Sequence, residues 1–179
     1  MADGPRELSS TELKRLHRDW RRHSSARLGL VLDGVQGPFN VGAIYRTAAA
    51  YRVDHVWLSD RATGPDHPKV AKTALGSDRF VTTTRDDHAV EAARSAGYFV
   101  VGIELAEGAT PLFEVDLRRD VALVLGHEDH GVSKGALAAC DVVAFLPQFG
   151  RIGSLNVATA ASIAIYEWAR QQLAVDDAP

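Results

Sequence analysis

A chain of 179 residues with a formal net charge of −3 and one cysteine has the length of one domain with a sizeable core, and the lone Cys140 excludes an internal disulfide and any multi-cysteine metal site. No apolar run reaches the roughly 18 residues of a membrane span, and the start MADGPRELSSTELKR lacks the apolar segment of a secretory signal, so a cytoplasmic protein is expected. The overall acidity argues against a globally basic nucleic-acid binder but leaves room for a local basic patch.

Such a patch opens the chain. Between residues 6 and 27, Arg6, Lys14, Arg15, Arg18, Arg21, Arg22 and Arg27 stand against Glu7, Glu12 and Asp19, seven bases against three acids and a local charge of +4. Ser9 or Ser10 can cap a helix with Glu12 in its first turn, and Leu13, Leu16 and Trp20 recur at helical spacing. Two readings stay open: a basic arm that grips phosphates, with Trp20 packing or stacking, or an amphipathic helix docked by its apolar stripe.

Residues 28–35, LGLVLDGV, read as a buried strand. Gly37-Pro38 marks a turn, and Asn40 is the expected N-cap of a helix running to about residue 51. Gly42 weakens that first turn and so needs another reason to be there. Arg46 follows it by one turn, and helical side chains lean toward the N-terminus. Arg46 is therefore expected to reach back past Gly42 toward Asn40, the alternative being an ordinary exposed arginine.

Residues 55–60 form the next strand. A loop with a short helix around 68–75 follows, and its Lys69, Lys72 and Arg79 either touch phosphate or merely solubilise. Residues 79–85 alternate as a strand. Asp86 or Asp87 can cap a helix over 88–96 that Gly97 stops, and 98–105 is another strand. Two apolar runs, 121–125 and 142–146, read as fully buried strands. Each ends in a polar loop, GHEDHG and QFGRIGSLN. The last helix, opened by Ser154, is apolar almost all round and is expected to be buried within the domain or against a second chain. Ser154 and Asn156 can both cap it, so one caps and the other is free for catalysis or substrate. Strands alternating with helices predict a single α/β domain with a mostly parallel sheet, and the two polar loops then lie at carboxyl strand ends, where such sheets bind ligands.

Familiar machinery is missing from these loops. In GHEDHGVS, Val132 stands where a phosphate-binding loop needs lysine, and Glu128 and Asp129 repel phosphate. Gly131 stands where a zinc motif needs its second histidine, so His127 and His130 make a weak metal pair. No G-x-G-x-x-G follows the first strand, which weakens an oxidoreductase reading, and no serine sits in a G-x-S-x-G elbow. What remains is a glycine-rich, backbone-lined site suited to an adenosine-like ligand, with Gly126, Gly131, Gly150 and Gly153 permitting close approach.

Three blocks carry a more specific signal: N-x-G-x-x-x-R at Asn40, Gly42 and Arg46; L-G-x-E-x-x-G at Leu125, Gly126, Glu128 and Gly131; and P-x-x-G-x-x-x-S-L-N-V at Pro147, Gly150, Ser154, Leu155, Asn156 and Val157. In this order they resemble the SpoU, or TrmH-like, branch of the SPOUT superfamily, RNA ribose 2′-O-methyltransferases that use S-adenosylmethionine. The resemblance covers about residues 28–170. Departures are small, with Ala158 where serine is frequent and Tyr51-Arg52 where an aromatic-Gly pair is common.

The resemblance implies an α/β fold whose C-terminal part is threaded into a deep trefoil knot, which general topology rules disfavour. It implies a homodimer with each site completed by the partner, and no metal. Cofactor contacts fall on Leu105, Gly126, Leu146 and Leu155. Catalytic positions fall on Arg46, Asn40, Glu128, Ser154 and Asn156, with Arg46 helping to remove the ribose 2′-hydroxyl proton. The expected organisation is a basic helical arm over 1–27, the methyltransferase domain over 28–173 and a frayed tail over 174–179. Similarity of the arm to tRNA-modifying members, and the lack of a separate N-terminal RNA-binding domain before about residue 27, favour tRNA. Ribosomal RNA methylation and a non-catalytic RNA-binding role are the alternatives.

Overall fold

The computed structural model describes residue 4 and residues 6–173; the tail expected at 174–179 lies outside the described residues. The elements in chain order are α1 (Ser10–Trp20), β1 (Leu28–Asp33), α2 (Pro38–Ala50), β2 (His55–Leu58), α3 (Pro68–Ala74), β3 (Thr82–Arg85), α4 (Ala89–Ser95), β4 (Phe99–Ile103), β5 (Thr110–Pro111), β6 (Val121–Gly126), α5 (Lys134–Ala139), β7 (Val142–Phe145) and α6 (Val157–Leu173). Two 3₁₀ turns complete the described elements, Asp78–Phe80 before β3 and Leu112–Glu114 after β5.

The strands form one seven-stranded sheet in the order β3-β2-β1-β6-β4-β7-β5. Every neighbouring pair is parallel. Central strands buried on both faces cannot alternate polar and apolar residues, and β1 and β6, LGLVLD and VALVLG, do not. They pair in register from Leu28 with Val121 to Asp33 with Gly126. Leu28, Leu30, Leu32, Leu123 and Leu125 face one layer, built with Ile44 and Tyr45 of α2, Val70 of α3 and Ala161, Ile165 and Trp168 of α6. Val31, Ala122 and Val124 face the other, built with Ala89, Val90 and Ala93 of α4 and flanked by Ala136 and Leu137 of α5.

Local chemistry sets most boundaries. Ser9 caps α1 in a reciprocal capping box with Glu12, which satisfies two otherwise unbonded backbone donors. The helix has no buried residue, and Leu13, Leu16 and Trp20 are all exposed, so the apolar stripe is not docked on its own domain. At the other end, Gln171 and Gln172 are buried but fully engaged. Leu117 N–H donates to Gln171 Oε1 (2.9 Å), Gln171 Nε2 donates to Val115 O (3.1 Å), and Gln172 Nε2 donates to Leu117 O (2.8 Å). These bonds pin the end of α6 to the segment that feeds β6.

Three expectations need correction. The expected N-cap Asn40 lies inside the first turn of α2, which starts at Pro38 with Gly37 as its cap; proline at the first position needs no backbone donor and presets φ. Residues 79–81 are turn and approach, so β3 is shorter than the alternating pattern implied. The last helix starts at Val157 rather than Ser154, because Asn156 is its cap: Ala158 N and Thr159 N donate to Asn156 Oδ1 at 3.0 and 3.2 Å.

Candidate active site

The carboxyl ends of β4, β6 and β7 open into a cavity of about 560 Å³, bounded on its far side by the turn before α6. Its floor is set by a backbone that leaves no space for side chains. At Gly126, an added Cβ would collide with the backbone of Gly131 and Val132. The loop between them is closed by paired hydrogen bonds, His127 N to Gly131 O and Gly131 N to His127 O, both 2.9 Å. Gly131 has φ 68°, the left-handed region where glycine is favoured, and the Glu104 carboxylate packs against it. Glu104 Oε2 accepts from Val132 N at 2.8 Å, so an acid at the end of β4 holds the loop that follows β6.

All four expected cofactor residues line this cavity: Leu105, Gly126, Leu146 and Leu155. Leu105 is 60% exposed and Leu155 37%, which leaves apolar surface facing the opening without a partner. Glu128, Ser154 and Asn156 line it too.

Three polar residues from the three motif blocks form one chain. Asn40 Nδ2 donates to Glu128 Oε1 (2.9 Å), and Asn156 Nδ2 donates to Asn40 Oδ1 (2.9 Å). Glu128 also accepts Gly37 N at Oε1 (2.7 Å) and Gln36 N at Oε2 (3.1 Å). The first turn of α2 is thus tied to the loop after β6 and to the cap of α6. Burial works to raise the Glu128 pKa, but the bonds from Asn40, Gln36 and Gly37 outweigh it and hold the carboxyl below its usual value. An ionised acceptor is what this network requires. Asn156 does both jobs that had been divided between it and Ser154: its oxygen caps α6 while its amide nitrogen reaches Asn40. Ser154 is exposed at the cavity edge.

Arg46 is not drawn into this chain. It is exposed, and forms no hydrogen bond or ion pair among the described residues. The absent side chain at Gly42 makes room for α3 instead, since a Cβ there would sit 2.6 Å from Thr73 Cβ and 2.8 Å from the Val70 carbonyl oxygen. Gly150 and Gly153 have open space around them, so crowding does not explain those two. His127 and His130 stack with centroids 4.8 Å apart, and His127 Nδ1 accepts Asp129 N at 3.0 Å, which makes that histidine part of the turn. No group of three or more metal-ligating side chains is present among the described residues.

Glu104 is the functional position that sequence reasoning missed. Its one signal is an acid at the end of an otherwise apolar strand, next to Leu105. Cys140 plays no part in the site: burial, with help from the Asp141 charge, pushes its thiol up to about 12.

Comparison with known proteins places these residues in context. Residues 27–166 match the model of the SpoU rRNA Methylase family. A 23S rRNA (guanosine-2′-O-)-methyltransferase RlmB of Coxiella burnetii is 36% identical over 156 residues, 85% of this chain and 62% of that protein. An AdoMet-bound rRNA methyltransferase from Sinorhizobium meliloti superposes with a TM-score of 0.76 at 30% identity, covering 80% of this chain and 56% of that one. The TrmH/SpoU tRNA modifying enzyme of A. aeolicus superposes with a TM-score of 0.74 at 28% identity, covering 89% of this chain and 83% of that one. The chain spans 60% and 62% of the length of the first two curated relatives it matches.

Proposed function

Because the chain belongs to the SpoU methylase family, we propose that it transfers a methyl group from S-adenosylmethionine to a ribose 2′-hydroxyl of RNA. The observation that carries the reading is the Glu128–Asn40–Asn156 chain, which joins all three motif blocks at the rim of a cofactor-sized cavity.

The cavity fits that cofactor. About 560 Å³ lies within the usual range for small-molecule sites. Gly126 supplies bare backbone for hydrogen bonds to a base edge, while Leu105, Leu146 and Leu155 offer apolar flanks for its faces. S-adenosylmethionine, when bound, supplies an electrophilic methyl group on a sulfonium. Glu128 fixes the first turn of α2, and with it the approach of the ribose. Asn156 and Ser154 bond the nucleotide, a role supported by their position on the cavity lining. Arg46, unpaired among the described residues, binds the RNA phosphate and orients the 2′-hydroxyl. A guanidinium gives up its proton reluctantly, so Arg46 acts first as a positioning cation, and the hydroxyl proton passes to solvent, in concert with attack or by relay. Correct placement of the reacting groups supplies much of the rate.

Two further parts of the reading have support of their own. The deep trefoil knot is supported by the strand order and by the bonds from Gln171 and Gln172 to the segment before β6. A homodimer that completes each site is supported by the outward face of α6, where Ile163 and Tyr166 are exposed, and by the bare loop residues Phe149 and Ile152. The exposed basic arm around α1 fits an RNA partner, and its resemblance to the arms of tRNA-modifying members supports tRNA as the substrate. The second reading, ribosomal RNA, is favoured by relatives named as 23S rRNA methyltransferases.

The test is transfer of radiolabelled methyl from S-adenosylmethionine into separate unmodified tRNA and ribosomal RNA pools, with Arg46→Ala as control. Label recovered as a 2′-O-methyl nucleoside and lost in the variant supports the reaction, and the labelled pool identifies the substrate. Absence of label in both pools, with no thermal shift by S-adenosylhomocysteine, overturns it.

A further inference from the structure

Outside the cavity, on the far side of α2's first turns, lies a surface that the proposed chemistry does not use. Leu75, which ends α3, has φ 51° and ψ 39°, left-handed backbone that a branched side chain adopts at a steric cost. Its side chain is 66% exposed, and Phe80, five residues on, is 69% exposed, so neither strain nor exposure is compensated by burial. Between them, Arg79 is held in place. Its guanidinium lies over the Phe80 ring, with Cζ 5.0 Å from the centroid. Behind it is Gly76, where even a Cβ would come within 3.7 Å of Cζ. Over residues 68–80 the charges are Lys69, Lys72 and Arg79 against Asp78, a local excess of two positive charges.

This surface adjoins Arg46. Thr73 and Ala74 of α3 pack against Gly42 of α2, and Arg46 lies one helical turn further along. The 3₁₀ turn carrying Arg79 and Phe80 also packs on α2. A cationic track with an exposed ring clamped by a guanidinium matches how single-stranded RNA is held, with bases stacked on aromatic side chains and phosphates on bases of the protein.

We infer that the Leu75–Phe80 turn is a subsite for the RNA substrate, where Phe80 stacks an unpaired base outside the target nucleotide and Arg79 binds a phosphate next to that base. The inference rests on the RNA reading above. The excess positive charge favours a polyanion over the same turn of a second copy, because a two-fold contact would set like charges against each other.

The experiment is binding of the full chain to the unmodified tRNA and ribosomal RNA pools by filter retention at several salt concentrations. Phe80→Ala is expected to weaken binding about 5- to 150-fold and Phe80→Trp to restore it. Arg79→Gln is expected to reduce the salt dependence by about one phosphate contact. The thermal shift produced by S-adenosylhomocysteine should match the wild type in all three. Binding by Phe80→Ala at wild-type strength overturns the subsite, as does a loss that Phe80→Trp fails to restore. A change in oligomeric mass with RNA affinity intact overturns it in favour of a contact between copies. Wild-type protein that binds neither pool overturns the RNA reading itself, and the subsite with it.

Discussion

Asn156 is the residue on which two roles converge, and they can be separated. Its Oδ1 caps α6 and its Nδ2 bonds Asn40. Asn156→Ala should cost about 1 kcal/mol through loss of the cap alone, read by denaturant unfolding. Asn156→Asp keeps a good capping oxygen but has no donor for Asn40, so stability should stay near wild type while methyl transfer falls at least tenfold. Equal activity in Asn156→Asp and wild type would remove the Asn40 link from the mechanism. Glu128 gives a pH signature. Its folded pKa is lowered, so its contribution is present above the unfolded carboxylate value of about 4.3 and is lost as pH falls through the lower folded value. With solvent screening allowed for, that contribution is about 1 kcal/mol. Glu128→Gln should therefore be less stable than wild type at pH 7, and the two stabilities should converge as pH falls through the lowered folded value. A gap that persists at low pH would assign the effect to shape rather than charge.

At the scale of elements, α2 packs closely on α3. Gly42→Ala must push Thr73 and the Val70 carbonyl apart, one of which is rigid backbone. Overpacking of that kind costs about 1–3 kcal/mol, so melting should fall by roughly 2–12 °C for a chain of this size. Continuous apolar runs made β1, β2, β4, β6 and β7 readable, because a strand buried on both faces, as β1 and β6 are, has no polar residue to break the run; the full burial expected for 142–146 does not hold, since only Ala144 of β7 is buried. The starts of α2 and α6 were misplaced because Asn40 and Ser154 have capping chemistry, yet Pro38 and Asn156 claim the ends. The two-residue edge strand β5 offers no periodicity to find. The motif blocks named Glu128 and Asn156 as site residues; that Asn40 stands between them depends on a chain crossing which no local pattern records. Glu104 escaped for the same reason, since its partner Val132 is 28 positions away.

The whole molecule leaves one helix face bare. Ile163 and Tyr166 are exposed on α6 although its opposite side, Ala161, Ile165 and Trp168, is core. If a second copy covers that face, Ile163→Asp should convert a dimer to a monomer by light scattering and abolish methyl transfer with the monomer still folded by circular dichroism. A wild-type chain that elutes as a monomer at micromolar concentration would reject the shared site.

The placement of β1 has a consequence for synthesis. Its inner neighbour is β6, with Leu28 beside Val121, roughly ninety residues later in the chain. At about 5–20 residues per second, the nascent polypeptide carries β1 for about 5–20 s with one edge open, a flat run of leucine and valine of the kind that pairs indiscriminately. Productive assembly therefore waits until β6 has been made, and the yield of this protein in a cell should depend on how well chaperones shield that edge in the interval.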